Sequence, residues 1–386
     1  MGEWTEYKIA DIADVIGGGT PKTAINEYWN GDIPWLAPRD LTGYEKVYIS
    51  HGDRFITEDG LRNSSTKLIP KGSVLLTSRA PIGYVAIAQN EICTNQGFKS
   101  LVPKQDKCIS EFLYYWIKNN VDYLQQLGTG TTFAEISGSV VKGIDISLPP
   151  LEEQKAIAEV LSSFDDKIDL LHRQNKTLEK LAQTLFRQWF IEEAKDDWEE
   201  KPLSKIADFL NGIACQKFPP QNDIDKLPVL KIKDLKAGIS DSSDWASTDI
   251  KPEYIIESGD VIFAWSASLI VKIWDGEKCI LNQHLFKVTS DYYPKWFYYQ
   301  WCKYHLDRFI AIAQAHATTM GHIKRKDLDN AMCFVPSVDE LKSMDEQIVP
   351  LMEKMENNSN QIKTLENMRD TLLPKLMSGE VRVKDI

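Results

Sequence analysis

Three features are missing from this 386-residue sequence, and each absence excludes a class of protein. No run of about 18 apolar residues occurs, so no membrane-spanning helix is expected. The N-terminus lacks a basic segment followed by an apolar run, so no signal peptide is predicted. The six cysteines include no Cys-x-x-Cys pair and have no histidine at zinc-site spacing. This pattern predicts free thiols in a reducing cytoplasm and no metal site.

Catalytic motifs are missing as well. The two Pro-Pro pairs follow Leu148 and Phe218, whereas an amino-group methyltransferase needs Asn or Asp at that position. The triplet Gly17-Gly18-Gly19 has neither the dinucleotide-binding spacing nor the Lys of a phosphate-binding loop, so an ordinary loop is predicted. No Gly-x-Ser-x-Gly is present, and the histidines are scattered. We therefore predict no catalytic residue and interpret the chain as a binding protein.

What the sequence does contain is an internal duplication. Ile12-Ala13-Asp14 recurs as Ile206-Ala207-Asp208, and Asn95-Gln96 recurs as Asn282-Gln283. The separation falls from 194 to 187 residues between these matches, which a deletion in one loop explains. Ordered matches across a whole half are typical of a repeated structural unit. Strand-like and helical segments alternate within each half, which predicts a duplicated α+β fold. The segment from Ser73 to Ala88 predicts two short strands around a turn, and the segment from Val141 to Leu148 predicts a further strand.

Each half ends in a long segment with an apolar heptad repeat. The repeated positions are Ile157, Phe164, Leu171, Leu178 and Leu185 in the first segment and Met344, Leu351, Asn358, Leu365 and Leu372 in the second. A second row is predicted to include Leu181 and Met368. Such repeats predict two helices that form an intramolecular antiparallel coiled coil with pseudo-two-fold symmetry, in which the polar Asn358 helps to fix the register. Pro350 is predicted to kink the second helix or to end a short first segment.

These patterns divide the chain into two globular domains, residues 1–150 and 201–336, and two helical segments, residues 151–200 and 337–386. The helical segments carry a formal charge of −9 out of −11, and the globular domains are close to neutral. A near-neutral domain can still present a basic face to nucleic acid. The acidic helices are better suited to docking a protein.

Two stretches resemble a known family. Leu148-Pro149-Pro150-Leu151-Glu152-Glu153-Gln154 resembles the opening of the central conserved helix in specificity subunits of type I restriction-modification enzymes. The segment from Leu365 to Val383 is similar to the closing segment of the same family, and the duplicated layout agrees over the whole chain. The second helix begins with Pro336-Ser337-Val338-Asp339-Glu340-Leu341 and departs from the Pro-Pro-Leu-Glu-Glu-Gln motif. Ser337-x-x-Glu340 predicts a capping box at the start of this helix.

The resemblance implies two target-recognition domains, residues 1–150 and 201–336, held apart by conserved helices that act as a spacer. Each domain would bind one half of a split double-stranded DNA target. Two methyltransferase (modification) subunits carrying S-adenosylmethionine would bind the chain, and restriction/translocase subunits using ATP and Mg²⁺ would join them. The chain itself would be a non-catalytic, cytoplasmic subunit without a bound cofactor.

Polar and basic residues in matched loops are the candidate DNA contacts, because Arg recognises guanine, Asn and Gln recognise adenine, and Lys or Thr binds phosphate. The first-half candidates are Lys22, Arg39, Arg79, Asn95, Gln96, Thr129, Thr131 and Thr132. The second-half candidates are Gln216, Lys217, Lys231, Lys233, Asn282, Gln283, His284, Thr318, Thr319, His322, Lys324 and Arg325. The Asn-Gln pair occurs in both halves, which fits a structural role better than base recognition. The aromatic residues of 114–116 and of 298–301 are predicted to lie in the core.

Two rival hypotheses remain open. The chain could be a coiled-coil protein scaffold that does not recognise DNA, or an autonomous nuclease or methylase. Salt-dependent binding to duplex DNA would separate the first rival from a specificity subunit. Methylation or cleavage by the purified chain alone would support the second.

Overall fold

A computed structural model describes residues 3–79, 81–130, 134–240, 242–315 and 321–383. The chain divides into two compact units. The first contains the residues up to Leu170 together with those from Lys363 onward, and the second contains Leu171–Ile362. Each unit therefore combines one globular domain with part of both long helical segments.

The first unit begins with domain 1, which contains three sheets. Its strands are β1 Thr5–Lys8, β2 Ala13–Gly17, β3 Trp29–Leu36, β4 Tyr48–Ile49, β5 Arg54–Ile56, β6 Leu68–Ile69, β7 Val74–Ser78, β8 Ile82–Ala88, β9 Ile92–Thr94, β10 Phe98–Pro103 and β11 Asp145–Leu148. Its helices are α1 Ile9–Ile12, α2 Glu58–Arg62, α3 Ser110–Asn119, α4 Val121–Gln126 and α5 Gly138–Gly143, and the long helix α6, Leu151–Arg187, follows. The sheet orders are β2-β10-β7-β8-β4, β5-β3-β9-β6 and β1-β11.

The second unit contains domain 2, which repeats this topology. Its strands are β12 Glu199–Pro202, β13 Asp208–Asn211, β14 Lys226–Leu230, β15 Trp245–Ser247, β16 Ile255–Ile256, β17 Val261–Ala264, β18 Ile270–Ile273, β19 Cys279–Leu281, β20 Leu285–Thr289 and β21 Met332–Val335. Its helices are α7 Leu203–Ile206, α8 Ile232–Ala237, α9 Lys295–Tyr304, α10 Leu306–Ala315 and α11 Arg325–Asp329, and the second long helix, α12, is Val338–Met377. The sheet orders β13-β20-β17-β18, β15-β14-β19-β16 and β12-β21 match those of domain 1 apart from β4. The predicted duplication and α+β class are confirmed.

The strand pairs predicted on either side of a turn are also confirmed. The five residues of β7 are all buried, and this strand lies between β8 and β10. The predicted aromatic core is correct too, since the aromatic residues of 114–116 in α3 and of 298–301 in α9 are buried. The predicted strand from Val141 to Leu148 is partly wrong. Its first residues belong to α5, whose first turn is capped by Ser137 Oγ accepting a hydrogen bond from Val140 N at 3.2 Å.

In the first unit the two long helices run antiparallel and join the core of domain 1. Arg369 Nη1 of α12 lies 2.6 Å from Asp165 Oδ1 of α6, and Arg382, beyond the end of α12, lies 3.6 Å from Glu153. The earlier residue of α6 pairs with the later residue after α12, so the two helices run in opposite directions. Ile157, Leu161, Leu373 and Leu376 belong to one apolar cluster with the buried residues of α3.

In the second unit the helices are antiparallel as well. Asn358 is buried, and its Nδ2 donates to Asn175 Oδ1 at 2.9 Å, while Asn175 Nδ2 donates to the Met355 carbonyl at 3.2 Å. This polar contact lies inside the helix pair, where a shift of register would break it. Towards domain 2, Phe186 and Ile348 belong to a cluster that includes the aromatic core of α9.

The heptad pattern holds only in part. Leu181 and Met368 are 46% and 48% exposed, so neither fills the second row. In place of Leu181 the buried positions are Ala182, Phe186 and Phe190, which follow one another at intervals of four. A straight α-helix drifts relative to a seven-residue repeat, so the buried position moves by one residue, from Leu181 to Ala182. The apolar stripe then faces the core of domain 2.

Local hydrogen bonds explain how the long helices begin. Gln154 is buried, its Nε2 donates to the carbonyls of Lys107 and Pro149 at 2.9 Å, and its Oε1 accepts from Ile109 N at 3.2 Å. The Leu148–Gln154 motif therefore ties α6 to domain 1.

The second helix begins differently. The capping box predicted at its start is confirmed, since Ser337 N donates to Glu340 Oε2 at 3.0 Å and Glu340 N donates to Ser337 Oγ at 3.4 Å. Trp198 Nε1 also donates to Glu340 at 3.1 Å. α12 continues through Pro350, so this proline does not end a short first segment.

All six cysteines are buried and unpaired, which confirms the prediction of free thiols. None of the helices in the described ranges combines the length and the apolar character needed to cross a membrane.

Candidate DNA interface

In domain 1, backbone hydrogen bonds join the end of β7 to two other segments. Ser78 N donates to Gly97 O at 2.7 Å, and Ile136 N donates to Ser78 O at 2.9 Å. The next residue, Arg79, forms an isolated antiparallel bridge with Glu135. The turn between β9 and β10 and the segment before α5 are thereby held against the end of β7.

Three charged side chains meet at this bridge. Glu135 Oε1 lies 3.2 Å from Lys99 Nζ, and Glu135 Oε2 lies 3.7 Å from Arg79 Nη1. Lys99 is largely buried, with 12% of its side chain exposed, whereas 36% of the Arg79 side chain is exposed. Two cations against one carboxylate leave a net positive charge. The cluster can therefore attract a phosphate or an electronegative base edge.

The Asn-Gln pair of domain 1 lies in the turn between β9 and β10. Asn95 Oδ1 accepts a hydrogen bond from Gly97 N at 2.7 Å, which stabilises the turn. A Cβ on Gly18 would lie 2.0 Å from the Asn95 carbonyl oxygen, so the glycine loop packs backbone against backbone here. Gln96 is exposed, and its Oε1 accepts from Thr20 Oγ1. Asn95 therefore supports the turn, and Gln96 lies on the surface.

Domain 2 has the same backbone arrangement 187 residues further along the chain. Trp265 N donates to His284 O at 3.3 Å, Ile323 N donates to Trp265 O at 3.1 Å, and Ser266 bridges His322. The positions that correspond to them in domain 1 are those of Ser78, Gly97, Ile136, Arg79 and Glu135. Of the five side chains only the isoleucine is common, so the backbone arrangement is duplicated while the side chains differ.

An aromatic and imidazole cluster replaces the charged one in domain 2. The Trp265 ring stacks on Phe286, with 5.6 Å between centroids. The rings of His284 and His322 lie 6.1 and 6.2 Å from that of Trp265, and His284 Nδ1 lies 3.1 Å from Ser266 Oγ. Half-buried rings of this kind stack on bases, and imidazole nitrogens hydrogen-bond to base edges or phosphates.

Asn282 and Gly212 repeat the contact made by Asn95 and Gly18. A Cβ on Gly212 would lie 2.2 Å from the Asn282 carbonyl oxygen, and Asn282 Oδ1 accepts from His284 N at 3.3 Å. The asparagine has a backbone-supporting place in both domains, in agreement with the structural role expected from its repetition.

The sequence matches the family described as the type I restriction modification DNA specificity domain, over residues 1–180 and again over residues 195–368. The chain belongs to this family. The two matches fall on the two halves, as the duplication requires. The chain is therefore a DNA specificity subunit of a type I restriction-modification system, and it is a non-catalytic subunit.

Two curated relatives extend over the whole chain. The MjaIX specificity subunit of Methanocaldococcus jannaschii is 38% identical over 414 residues, covering 100% of this chain and 95% of the relative. The MjaVIII specificity subunit of the same organism is 23% identical over 426 residues, covering 100% and 94%. A crystal structure of a type I S subunit from M. genitalium has a TM-score of 0.55 at 18% identity, covering 100% of this chain and 97% of that chain. That likeness supports the fold.

The other first-half candidates of this specificity subunit lie at different distances from the bridge. Thr129 exchanges two backbone hydrogen bonds with Glu135, at 3.0 and 3.1 Å, so it lies beside the Arg79 cluster. Arg39 is exposed and lies 3.9 Å from Asp53. Lys22 is exposed in the loop after β2 and is not joined to the cluster by any contact within the described residues.

Three of the basic candidates of domain 2 are held by acidic or backbone partners. Lys231 forms an ion pair with Asp244, and this hydrogen bond lowers the pKa of the Asp244 carboxyl. Lys233 Nζ donates to the Ser242 carbonyl at 3.0 Å, and Arg325 Nη2 donates to the Phe209 carbonyl at 3.3 Å. The remaining exposed candidates are Gln216, Lys217 and Lys324, whereas Gln283 is half-buried. Thr131, Thr132, Thr318 and Thr319 lie outside the described residues.

Sequence reasoning missed Lys99, Glu135 and Trp265. Lys99 and Glu135 are separated by 36 residues, and no local pattern predicts their contact. Trp265 was absent from the candidates because it follows the buried strand β17, although its Nε1 donates to Asn211 Oδ1 at 3.0 Å and its ring lies at the domain 2 bridge. The position of the Asn-Gln pair in both halves was the one available signal, because it marks the turn against which these residues pack.

Proposed function

We propose that this specificity subunit binds a bipartite double-stranded DNA target and that each domain recognises one half of it. The observation that carries the proposal is the bridge repeated in both domains, Arg79–Glu135 and Ser266–His322, with one backbone arrangement and different side chains. Two domains that recognise different base sequences need a common support and different side chains, because base edges are recognised by side chains.

The helical segments have a separate role in this proposal. They carry most of the negative charge, and acidic surfaces repel phosphate. We infer that they dock two methyltransferase subunits, and that restriction/translocase subunits join that complex. S-adenosylmethionine, ATP and Mg²⁺ would be bound by those partners and not by this chain. A cytoplasmic location stays a prediction that agrees with six unpaired thiols.

A domain exchange tests the bipartite proposal. Residues 1–150 are replaced by the corresponding segment of the MjaIX subunit, and the complex with the methyltransferase subunits selects duplexes from a randomised library. We expect one half of the selected target to change and the other half to stay the same. A change in both halves would contradict independent recognition by the two domains. The unexchanged chain in the same complex is the control.

The rival protein scaffold makes a different prediction. A DNA-binding complex loses affinity steeply as salt rises, because bound phosphates release counterions. Titration of a fluorescent duplex against the complex at increasing salt should therefore show a linear fall of log affinity with log salt. A scaffold that does not recognise DNA would show no saturable binding at any salt concentration. Methylation or cleavage by the purified chain alone would instead favour an autonomous enzyme.

A further inference from the structure

We propose that Arg79 recognises a guanine in the first half of the target, and that Glu135 is the residue that positions it. The inference rests on the proposed function and adds a base class and a residue pair to it. Three observations support it: the fixed backbone at Arg79, the way Glu135 divides its two oxygens between cations, and the replacement of both residues in domain 2.

The backbone that leads into Arg79 is held by two other segments. Ser78, which precedes it, donates to Gly97 O at 2.7 Å and accepts from Ile136 N at 2.9 Å. Arg79 itself pairs with Glu135 as an antiparallel bridge. A side chain that leaves a fixed backbone loses less conformational freedom on binding, so its contacts contribute more of their strength to affinity.

Glu135 uses its two oxygens differently. Lys99, largely buried, lies 3.2 Å from Oε1, and this is a hydrogen bond as well as an ion pair. Arg79 lies 3.7 Å from Oε2, too far for a hydrogen bond. Lys99 is the closer cation and compensates for much of the charge of the Glu135 carboxylate. The remaining negative charge orients the more exposed Arg79.

The guanidinium therefore keeps its donors. Within the part of the chain that the structure describes, no N–H group of the Arg79 side chain donates a hydrogen bond, although 36% of the side chain is exposed. A planar guanidinium has five N–H donors and matches the O6 and N7 acceptors of guanine with two parallel bonds. A lysine at the same place supplies charge without that paired geometry.

Domain 2 has neither half of this pair. Ser266 stands where Arg79 does, and His322 stands where Glu135 does. Phe286 stands where the buried Lys99 does. The equivalent positions of domain 2 therefore hold no carboxylate, guanidinium or ammonium group. At the bridge the two domains share a backbone arrangement and differ in their side chains. Such a difference is expected at positions that determine specificity.

The test uses the full chain in complex with its methyltransferase subunits and a library of duplexes randomised over the target. The variants are Arg79→Lys and Glu135→Gln. The control is Arg62→Lys, the same change at an exposed arginine of α2. The unaltered complex should require guanine at one position of the first half. Arg79→Lys should reduce that preference about tenfold or more while leaving the second half unchanged. Glu135→Gln should keep guanine as the preferred base with weaker discrimination, and Arg62→Lys should leave every preference unchanged.

Several results would overturn the inference. The first is an Arg79→Lys complex that keeps the full guanine preference. The second is an Arg79→Lys complex that binds all sequences equally more weakly, as loss of a phosphate contact would cause. In both cases selection of a bipartite target by the unaltered complex would leave the proposed function standing. Failure of the unaltered complex to select any target would overturn the proposed function and this inference together. A melting temperature for each variant equal to that of the unaltered chain keeps loss of folding apart from loss of recognition.

Discussion

The ion pair between Asp165 and Arg369 gives the sharpest stability prediction. Asp165 of α6 and Arg369 of α12 are 2.6 Å apart, with 7% and 16% of their side chains exposed. Tyr115 of α3 donates a second hydrogen bond to the carboxylate at 2.7 Å. All three residues belong to the first unit, where the contact joins both long helices to the core of domain 1.

Replacing Arg369 by Met removes the cation and leaves a buried carboxylate with one neutral donor. Breaking a buried ion pair from one side costs about 3–5 kcal/mol, because the remaining charge is uncompensated. The hydrogen bond from Tyr115 persists, so we expect the free energy of unfolding to fall by about 3 kcal/mol, the lower end of this range. The double variant Asp165→Leu/Arg369→Met should recover only part of this loss. An apolar pair removes the unpaired charge, but the buried Tyr115 hydroxyl loses its acceptor.

The assay is urea denaturation of the full chain followed by far-ultraviolet circular dichroism. The loss should fall on the transition of the first unit, because a chain with two compact units need not unfold in one step. The control is Lys155→Met, which removes an exposed partner 4.0 Å from Glu159 on the same helix. That change should cost less than about 0.5 kcal/mol. An Arg369→Met variant within about 0.5 kcal/mol of the unaltered chain would refute the reasoning.

Three further predictions concern other parts of the chain. Hydrogen bonds from Lys195 and from Ser337 of the cap hold the pKa of Glu340 at about 2, below its usual 4.5. The contribution of the ionised Glu340 to stability is therefore present above pH 4.5 and is lost as the pH falls towards 2. The urea midpoint of Glu340→Gln should approach that of the unaltered chain on acidification, and a constant difference at all pH values would contradict this. Burial raises the pKa of all six thiols, so iodoacetamide at mildly alkaline pH should label them only after unfolding, and rapid labelling of the native chain would show that a cysteine is accessible. Gly18→Ala should lower the free energy of unfolding by about 1–3 kcal/mol, because the new Cβ would meet the Asn95 carbonyl oxygen at 2.0 Å, whereas Gly17→Ala meets nothing within 4 Å and should be nearly neutral; equal urea midpoints for the two variants would contradict the clash.

Local and periodic features of the chain were readable from the sequence. The duplication, the two long helices and the capping box at Ser337 depend on spacing along the chain, and each spacing reflects a repeat of backbone geometry. The strands on either side of Pro81 were predictable because the segment is rich in Val, Leu and Ile and is interrupted by a turn. The family followed from two motifs whose residues are adjacent in the chain. These features together determined the fold class and the assignment as a specificity subunit.

Only the tertiary structure decided which side chains meet. Lys99, Arg79 and Glu135 come from three separate segments, and their contact depends on sheet order, which no local pattern encodes. Leu181 is a second case, because the heptad repeat predicted its burial. The helix instead buries Ala182 and Phe186 in the core of domain 2. Backbone periodicity acts between neighbours along the chain, whereas a recognition site is built from residues that only packing brings together.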